Sequence, residues 1–289
     1  MKTHSRVHFW AIAVIVLAAS AVFSQAPQEK SVTVFGAKIN YVEAGDPAKP
    51  KVILLHGLGG SIANWALTTP ALAQNYHVFA LDQVGFGKSD KPALKYRVGT
   101  YVDFLDKFMA ELKIEKASLV GNSMGGWVGA LTAIKYPSRV EKIVLADAAG
   151  IVPANFSETQ VYQLNNSTRD EIRANMKRIF ATPALQNNEA LVDQFMTARV
   201  TAGDGGTINS LIESIKRRED FLNDRLGDIK KPTLIIWGKQ DGLLPVADAY
   251  TFNKGIAGSE LLIFDQCGHA PQFEKAADFN KAVLAFLAK

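Results

Sequence analysis

Short apolar runs alternate with amphipathic stretches along the chain from Lys51 onward. Each run is three or four residues long, which is typical of strands covered on both faces. The runs occupy residues 52–55, 78–81, 118–120, 143–145, 234–237 and 261–264. Because a helical pattern follows most of them, the alternation predicts βα units and a mostly parallel sheet flanked by helices, an α/β fold.

Two further strands are predicted at residues 31–35 and 38–42, with Gly36 in the turn of an antiparallel hairpin. The last predicted helix, 276–287, carries Phe279 and Val283 on one stripe, as expected of a helix docked on a sheet. The other helices expected around the sheet are 62–74, 101–112, 124–136 and 246–256.

One long interval, residues 151–228, contains helical stripes and no convincing strand. It follows the strand that ends at Ala146, at the carboxyl edge of the sheet, where pockets form. We therefore interpret it as a helical cap inserted into one core. The predicted divisions are a signal peptide at 1–26, the first part of the core at 27–150, the cap at 151–228 and the second part of the core at 229–289.

The N-terminus has the pattern of an export signal. Lys2 and Arg6 precede an apolar run at 9–19, and Ser24-Gln25-Ala26 fits a small-x-small cleavage site. This pattern predicts a periplasmic or secreted protein with no stable membrane span after signal removal. The alternative is an uncleaved anchor, although the apolar run is shorter than the roughly 20 residues that a spanning helix needs.

The bulk composition is that of a globular protein, with 289 residues, 48% hydrophobic and 21% charged. Lys2 and Arg6 contribute two of the four net positive charges, so nothing indicates a nucleic-acid partner. Cys267 is the only cysteine, which excludes an internal disulfide and argues against a cysteine-based metal site. We predict neither a metal nor a cofactor.

A candidate nucleophile lies at the centre of the chain, in the segment Gly121-Asn122-Ser123-Met124-Gly125. An apolar run precedes it and a helical pattern follows it, so Ser123 occupies a strand-to-helix turn. Such a turn strains the serine backbone and exposes its hydroxyl. Small residues are then needed at 121 and 125, where a Cβ would meet the closely approaching strand and helix.

A serine hydroxyl needs a base at neutral pH, usually a histidine. His4 and His8 lie in the export segment, His77 begins a strand, and His56 begins a glycine-rich loop where its backbone is expected to matter more than its ring. His269 remains, in a loop at the carboxyl end of the last strand. This loop lies at the same sheet edge as the nucleophile.

Two carboxylates are candidates for orienting the histidine. Asp241 follows the strand at 234–237 in a turn next to Gly242, and Asp147 follows the strand ending at Ala146. Both reach the carboxyl edge of the sheet. We favour Asp241, because its turn is built to hold a side chain in place.

Acyl transfer also requires N–H donors for the oxyanion that develops on the substrate. Met124, at the start of the helix after the nucleophile, offers one backbone N–H. The glycine-rich loop at 56–60 offers a second, for which we choose Leu58. Gly59, in the same loop, is a candidate substrate contact.

Five motifs together resemble the α/β-hydrolase family, and the likeness spans nearly everything from about Ser31 to Lys289. They are His56-Gly57-Leu58-Gly59-Gly60, Asp82 to Ser89 with Gly85 and Gly87 between them, Gly121-Asn122-Ser123-Met124-Gly125-Gly126, Trp237-Gly238-Lys239-Gln240-Asp241, and Gly268-His269. The resemblance implies the order nucleophile, acid, histidine, which independently favours Asp241. It also implies that Leu58 and Met124 donate the oxyanion hole.

Within this family, Ser123 argues against the haloalkane dehalogenase and epoxide hydrolase branches, which have aspartate there. The segment 121–126 and the cap placement resemble meta-cleavage product hydrolases, which split carbon–carbon bonds in ring-fission products. In that branch, Arg199 would be the cap arginine that binds a substrate carboxylate, since it shares a helical row with Leu191 and Phe195. The other interpretation, which we favour, is that Arg199 is an exposed residue on a helix.

Two features separate the chain from that branch. Ala270 stands where a tryptophan usually follows the histidine, and Gly60-Ser61 stands where the oxyanion loop usually contains proline. The export signal also suits an extracytoplasmic esterase better than an enzyme of intracellular aromatic breakdown.

The favoured prediction is an exported serine hydrolase, carboxylesterase-like or lipase-like, that cleaves small-molecule carboxylic esters. The alternative is a carbon–carbon bond hydrolase with the same triad. A third hypothesis is a ligand-binding protein that retains the fold with little turnover. The sequence predicts no oligomeric state and does not fix the acyl or alcohol group.

Overall fold

The computed structural model describes residues 27–152 and 164–289. The predicted export segment, 1–26, and residues 153–163 of the predicted cap lie outside these described residues. None of the helices in the described ranges is both long and apolar enough to cross a membrane.

Eight strands form one sheet. They are β1 (Gln28–Val34), β2 (Ala37–Ala44), β3 (Lys51–Leu55), β4 (His77–Leu81), β5 (Ala117–Asn122), β6 (Val140–Ala146), β7 (Thr233–Gly238) and β8 (Glu260–Phe264). Their order across the sheet is β1-β2-β4-β3-β5-β6-β7-β8. The pairs β1–β2 and β2–β4 are antiparallel and the other pairs are parallel. The predicted α/β class and mostly parallel sheet are confirmed.

Helices connect the strands and flank the sheet. They are α1 (Thr69–Leu72), α2 (Val98–Glu111), α3 (Met124–Lys135), α4 (Arg169–Ile179), α5 (Pro183–Gln186), α6 (Glu189–Ala202), α7 (Gly205–Lys216), α8 (Val246–Gly255), α9 (Pro271–Glu274) and α10 (Ala276–Leu287). The helix predicted at 276–287 is confirmed at both ends, since α10 has the same bounds.

The single helix predicted at 62–74 is wrong. A short 3-10 helix, Ile62–Trp65, is followed by the separate helix α1. Pro70 explains the break, because proline has no N–H and its ring would clash with the carbonyl of Ala66 in a continuous helix. Near the start of α1, the missing N–H costs nothing.

The sheet is covered on both faces by apolar layers. Along β3, Ile53 and Leu55 belong to one buried cluster, and Val52 and Leu54 belong to the other. This alternation follows from the two-residue period of a strand. Side chains of α2 and α3 build the first layer, and α10 contributes to the second. The strands are therefore fixed between two packed layers.

The described part of the predicted cap is residues 151–152 and 164–228, and we call 164–228 the helical insertion. It contains α4 to α7. α4 begins with a capping box in which Thr168 and Glu171 bind each other's backbone N–H groups. α4 and α6 share a small apolar cluster with Ile172, Met176 and Val192 at its centre. α7 instead packs on the large layer of the main core.

Candidate active site

The turn at Ser123 connects β5 to α3. Ser123 has φ 56° and ψ −121°, a left-handed conformation that costs a residue with a Cβ on the order of 1–3 kcal/mol. Backbone hydrogen bonds hold it: its N–H donates to Ala146 O (2.9 Å), and its carbonyl accepts from the Ala149 N–H (3.0 Å). The turn therefore presents the serine side chain between the strand and the helix.

The two glycines beside Ser123 are required for space. A Cβ on Gly121 would lie 2.3 Å from the Gly125 carbonyl oxygen. A Cβ on Gly125 would lie 2.0 Å from Leu55 O, a backbone atom of the neighbouring strand. Real Cβ atoms do not approach so closely, so α3 rests directly on β3 and β5 only because these positions have no side chain.

The residues that follow the carboxyl ends of the parallel strands form what we call the sheet rim. It contains His56 after β3, Ser123 after β5, Asp147 after β6, Asp241 after β7 and His269 after β8. Within the rim, His269 Nδ1 and Asp241 Oδ2 are 2.7 Å apart. The side chain of Asp241 is fully buried. Its other oxygen, Oδ1, accepts from the N–H groups of Leu243 (2.7 Å) and Leu244 (3.0 Å).

The turn around Asp241 thus orients one oxygen toward the imidazole. Two backbone donors and one ring nitrogen stabilise the ionised carboxylate, as charge-assisted hydrogen bonds do. Since Nδ1 contacts the carboxylate, it carries the proton, and Nε2 is left as the basic nitrogen. The pair is therefore ready to accept a proton at Nε2.

Asp147, the alternative candidate for the triad acid, also lies close to Asp241 and His269. It is fully buried, and its Oδ1 accepts from the Gly238 N–H (2.8 Å). Its Oδ2 accepts from no N–H or O–H donor among the described residues. Burial, and then the nearby charge of Asp241, raises the pKa of the Asp147 carboxyl well above its ordinary value. The contact to the imidazole is made by Asp241, as favoured.

Ser123 and His269 are linked through the residue before the serine. Asn122 Nδ2 donates to the backbone carbonyl of His269 (3.1 Å), and Gln272 Nε2 donates to Asn122 Oδ1 (3.2 Å). These bonds bring the histidine loop to the end of β5. In the part of the chain that the structure describes, no direct hydrogen bond joins Ser123 Oγ to the imidazole, and such contacts often tighten only when substrate binds.

The predicted oxyanion donors lie next to the serine. A Cβ placed on Gly57 would lie 3.0 Å from Ser123 Cβ and 3.5 Å from its Oγ, so the loop at 56–60 passes against the nucleophile. Within the described ranges, the backbone N–H groups of Leu58 and Met124 donate to no protein acceptor. Gly59 is exposed with φ +67°, a conformation that glycine adopts without strain.

His56 anchors this loop through its ring, and our expectation that its backbone matters more than its ring is incomplete. The ring is fully buried, and its Nε2 accepts from the Gln83 N–H (3.0 Å). Nδ1 therefore carries the proton and donates to Gly57 O (2.7 Å). Burial lowers the pKa of His56, which keeps the ring neutral. Gln83 completes the clamp by donating from Nε2 to the His56 carbonyl (2.8 Å).

The helical insertion contributes Arg199, and our expectation of an exposed residue is wrong. Its side chain is 18% exposed and forms an ion pair with Asp204, which is buried. Nη2 also donates to Asn165 Oδ1 (2.6 Å). Nη1 lies 3.5 Å from the place where a Cβ on Gly59 would be. The guanidinium is therefore held over the predicted oxyanion loop.

The rim also contains the only group of metal-ligand types close enough to hold an ion within the described residues. One donor atom each from Asp147, Asp241 and His269 lie within 4.8 Å of one another. The histidine atom that faces the carboxylate is protonated, however, and both Asp241 oxygens already accept hydrogen bonds. These residues fit a hydrogen-bonded acid–base pair better than a metal site, which needs free lone pairs.

The chain is similar to known proteins along most of its length. A family model described as alpha/beta hydrolase fold matches residues 50–276. A 2-hydroxy-6-oxononadienedioate/2-hydroxy-6-oxononatrienedioate hydrolase from Klebsiella pneumoniae is 34% identical over 265 residues, which cover 87% of this chain and 91% of the relative.

Two solved structures are also similar. A meta-cleavage product hydrolase from Pseudomonas fluorescens is 30% identical, with a TM-score of 0.81, covering 90% of this chain and 97% of that one. A bacterial membrane phospholipase A is 31% identical, with a TM-score of 0.80, covering 91% of this chain and 86% of that one. The relatives thus include hydrolases of carbon–carbon bonds and of esters.

Proposed function

Because the chain belongs to the α/β-hydrolase family, we propose that it is a serine hydrolase that works through Ser123, His269 and Asp241. The observation that carries the proposal is the 2.7 Å pair between His269 Nδ1 and the buried Asp241, at the same sheet edge as the strained Ser123 turn. A nucleophile, a base and an orienting acid in this arrangement are what acyl transfer needs.

In the first step, Ser123 Oγ attacks the substrate carbonyl while its proton moves to His269 Nε2. Asp241 stabilises the imidazolium that forms and keeps Nε2 directed at the nucleophile. Negative charge develops on the carbonyl oxygen, where the N–H groups of Leu58 and Met124 can donate to it. Each such donor typically contributes about 10² to 10³ in rate.

In the second step, the imidazolium returns its proton to the leaving group and the acyl-enzyme forms. Water then attacks the ester carbon of the acyl-enzyme, giving its proton to His269 Nε2. Collapse of the second tetrahedral intermediate expels Ser123 Oγ, which takes the proton back. The products are a carboxylic acid and the protonated leaving group, so the atoms balance with one water consumed.

The test of this proposal is Ser123→Ala, with Ser31→Ala on the exposed edge strand as the matched control. We expect Ser123→Ala to lose hydrolysis of the preferred substrate and labelling by a fluorophosphonate probe, with an unchanged far-UV spectrum. The control should behave like the natural protein. Full turnover by folded Ser123→Ala would end the proposal.

The comparisons favour carbon–carbon cleavage over the ester cleavage predicted from the sequence. The Klebsiella relative is named for the hydrolysis of dienedioate and trienedioate compounds, and the Pseudomonas structure is a meta-cleavage product hydrolase. Arg199, held beside Gly59, supports this candidate, since a guanidinium near the oxyanion loop suits a substrate carboxylate. We therefore propose as the first candidate a vinylogous diketo acid, whose leaving carbon departs as a stabilised enolate.

Ester cleavage is the second candidate, and a specific observation favours it. The charge of Arg199 is already compensated by the buried Asp204, so a substrate carboxylate would compete with an existing ion pair. A neutral ester would not compete with this ion pair. The phospholipase structure shows that the same fold, at similar identity, serves an ester hydrolase.

A direct comparison of substrates decides between these candidates. Turnover of a vinylogous diketo acid is measured against that of p-nitrophenyl acetate and butyrate, in the natural protein and in the double variant Arg199→Met/Asp204→Asn. The double variant removes the ion pair without leaving Asp204 as an unpaired buried charge. If the diketo acid is the substrate, the double variant has a higher KM for the diketo acid and an unchanged KM for the esters. If an ester is the substrate, kcat/KM for the diketo acid is negligible in the natural protein and in the double variant.

We also propose that residues 1–26 direct export, on the charge and apolar pattern of that segment. The test is expression of the full chain followed by fractionation and N-terminal sequencing. Export predicts a mature N-terminus near residue 27 in the extracytoplasmic fraction. A full-length chain recovered with membranes would favour the anchor, and a full-length chain in the cytoplasm would contradict both.

A further inference from the structure

The carboxyl group of Asp147 lies at the triad, although the mechanism above gives it no role. It follows β6 directly, has φ 43°, and its N–H donates to Ile236 O (2.9 Å) on β7. Aspartate adopts a left-handed conformation more readily than most residues with a Cβ, and the bond to β7 holds it there. The side chain is thereby directed into the space between the turns after β7 and β8.

The two oxygens of Asp147 differ in their surroundings. Oδ1 accepts from the Gly238 N–H, whereas Oδ2 is buried and accepts from no N–H or O–H donor among the described residues. The Asp241 side chain lies within hydrogen-bonding reach of the Asp147 carboxyl group. Donor atoms of Asp147, Asp241 and His269 lie within 4.8 Å of one another. A buried oxygen with no donor beside it is unfavourable if it is anionic, but it becomes a hydrogen-bond donor if it carries a proton.

Two neighbouring buried carboxyl groups do not both ionise, so one proton must be assigned. Asp241 accepts from two backbone N–H groups and from His269, which together stabilise its anion. Asp147 accepts from one N–H only. The proton therefore belongs to Asp147, on the oxygen that has no other partner.

We propose that Asp147 is a positioning residue that stays protonated at neutral pH and donates a hydrogen bond from Oδ2 to the Asp241 carboxylate. The inference rests on the proposed function, because it assigns a role to Asp147 in the same triad. The bond holds the Asp241 side chain at a further point besides the N–H groups of Leu243 and Leu244, and so restricts its rotation. It also draws electron density away from the oxygen that holds the imidazole.

The other charged and titratable groups around Asp147 agree with this assignment. Asp241 and His269 face it from the turns after β7 and β8, Glu274 from α9, and the buried Cys267 thiol lies nearby. Burial and the negative charge of Asp241 are the main causes that raise the pKa of Asp147, and Glu274 acts in the same direction. Among the described residues, Lys275 lowers the pKa of the Cys267 thiol, but no cation acts on Asp147 itself, so nothing beside it favours a second anion.

Two substitutions with the branched shape of aspartate test the positioning role. Asp147→Asn keeps an acceptor for Gly238 and a donor for Asp241, so we expect kcat within about threefold of the natural value. Asp147→Leu has the same number of side-chain heavy atoms, in a larger volume, and loses both bonds, and we expect kcat to fall about tenfold or more. Asp241→Asn, measured beside them, should lower kcat by about 10⁴, as loss of a triad acid typically does.

The pH profile supplies a readout that a merely structural role would not move. Without the Asp147 donor, Asp241 holds the imidazolium more strongly, so the acid limb of kcat/KM should move to higher pH in Asp147→Leu. Asp147→Asn should restore the natural position. Identical acid limbs in the natural protein and the two Asp147 variants would overturn the inference. A kcat of Asp147→Asn as low as that of Asp241→Asn would also overturn it, because such a loss requires an ionised Asp147.

An infrared measurement makes the test independent of turnover. The difference spectrum between the natural protein and Asp147→Asn at pH 7 should contain the carbonyl band of a protonated carboxylic acid, shifted in D₂O. A carboxylate band in its place would overturn the inference whatever the enzyme hydrolyses. Loss of the proposed function has a different signature, namely full turnover by Ser123→Ala, so the two failures are distinguishable.

Discussion

The sheet rim and the helical insertion face each other across the site, but different forces hold them together. At the rim, main chains touch: a Cβ on Gly125 would lie 2.0 Å from Leu55 O, and a Cβ on Gly238 would lie 1.9 Å from Gly268 O. Within the insertion, side chains join the helices to one another, as in the ion pair between Arg173 Nε and Glu189 Oε1 at 2.7 Å. The end of α4 also touches the rim through its main chain, where the His269 N–H donates to Ile179 O (2.6 Å).

This difference indicates how one fold separates chemistry from specificity. Main-chain contacts leave no room for a larger residue, so the positions of the nucleophile, base and acid are tightly defined. Exposed ion pairs contribute little to stability and tolerate replacement. The insertion can therefore change its side chains, and with them the substrate, as long as the main chain at the end of α4 keeps its bonds to the rim.

The largest effect is expected from Gly125→Ala. Its new Cβ would meet backbone atoms of β3, which cannot move without shifting the sheet, so we expect loss of the native fold or destabilisation by more than about 3 kcal/mol. Urea unfolding followed by circular dichroism measures the change. Gly129→Ala in the same helix is the matched control, since its nearest neighbour would lie at an ordinary 3.8 Å. Similar stability of the two variants would contradict the main-chain account of the rim.

His56→Leu should come next, because it removes the clamp on the oxyanion loop while leaving the triad residues in place. We expect kcat to fall by about 10², comparable to the loss of one oxyanion donor. His77→Leu is the control, a second buried histidine whose Nε2 bonds to Glu43 (2.8 Å) on β2, away from the site. Equal losses of kcat in the two variants would show that His56 acts through general stability alone.

The same substitution should change how stability depends on pH. Burial lowers the pKa of His56 in the folded protein. As the pH falls, this histidine is therefore protonated in the unfolded chain before it is protonated in the folded one. The contribution of neutral His56 to the free energy of unfolding is fully present above the pKa of an unfolded histidine, about 6.5. It is lost as the pH falls below that value, at up to about 1.4 kcal/mol per pH unit. Urea midpoints between pH 7 and 5 should therefore fall less steeply in His56→Leu. Parallel slopes would contradict a neutral ring.

The smallest effect is expected in the helical insertion, from Gly206→Ala. A Cβ at this helical position would meet nothing within 4 Å, and its φ is not in the left-handed region. We expect a gain of about 0.4–1 kcal/mol, because alanine restricts the unfolded chain. Activity should not change. A loss of stability measured by urea unfolding would show that the insertion is packed as tightly as the rim.

Much of the fold was predictable because the strands are short runs of large apolar residues and α10 has a clear apolar stripe. The break between residues 62 and 74 was missed although Pro70 signalled it. For the site, position after a strand was enough to select Ser123, Asp241 and His269 as candidates. The choice of Asp241 over Asp147 as the partner of His269 came from its turn and from the family resemblance, because the strand order that sets their distances is not visible in the sequence.

Two roles were missed for physical reasons. Arg199 was expected to be exposed, because its helical row does not reveal that Asp204 folds back to pair with it. The ring of His56 was passed over, although β3 pairs with β4 in a register that sets Leu55 opposite Leu81. That register brings His56 level with the residues after β4, where Gln83 is found. The pairing of β3 with β4 would therefore have predicted the contact between His56 and Gln83.

The single thiol of the chain gives the site an intrinsic probe of local opening. Cys267 is fully buried two residues before His269, and burial raises its pKa. A thiolate-seeking reagent therefore has no target while the last loop is closed. Modification can proceed only in molecules whose loop has transiently separated from the sheet, so its rate would report how often the catalytic base leaves its place.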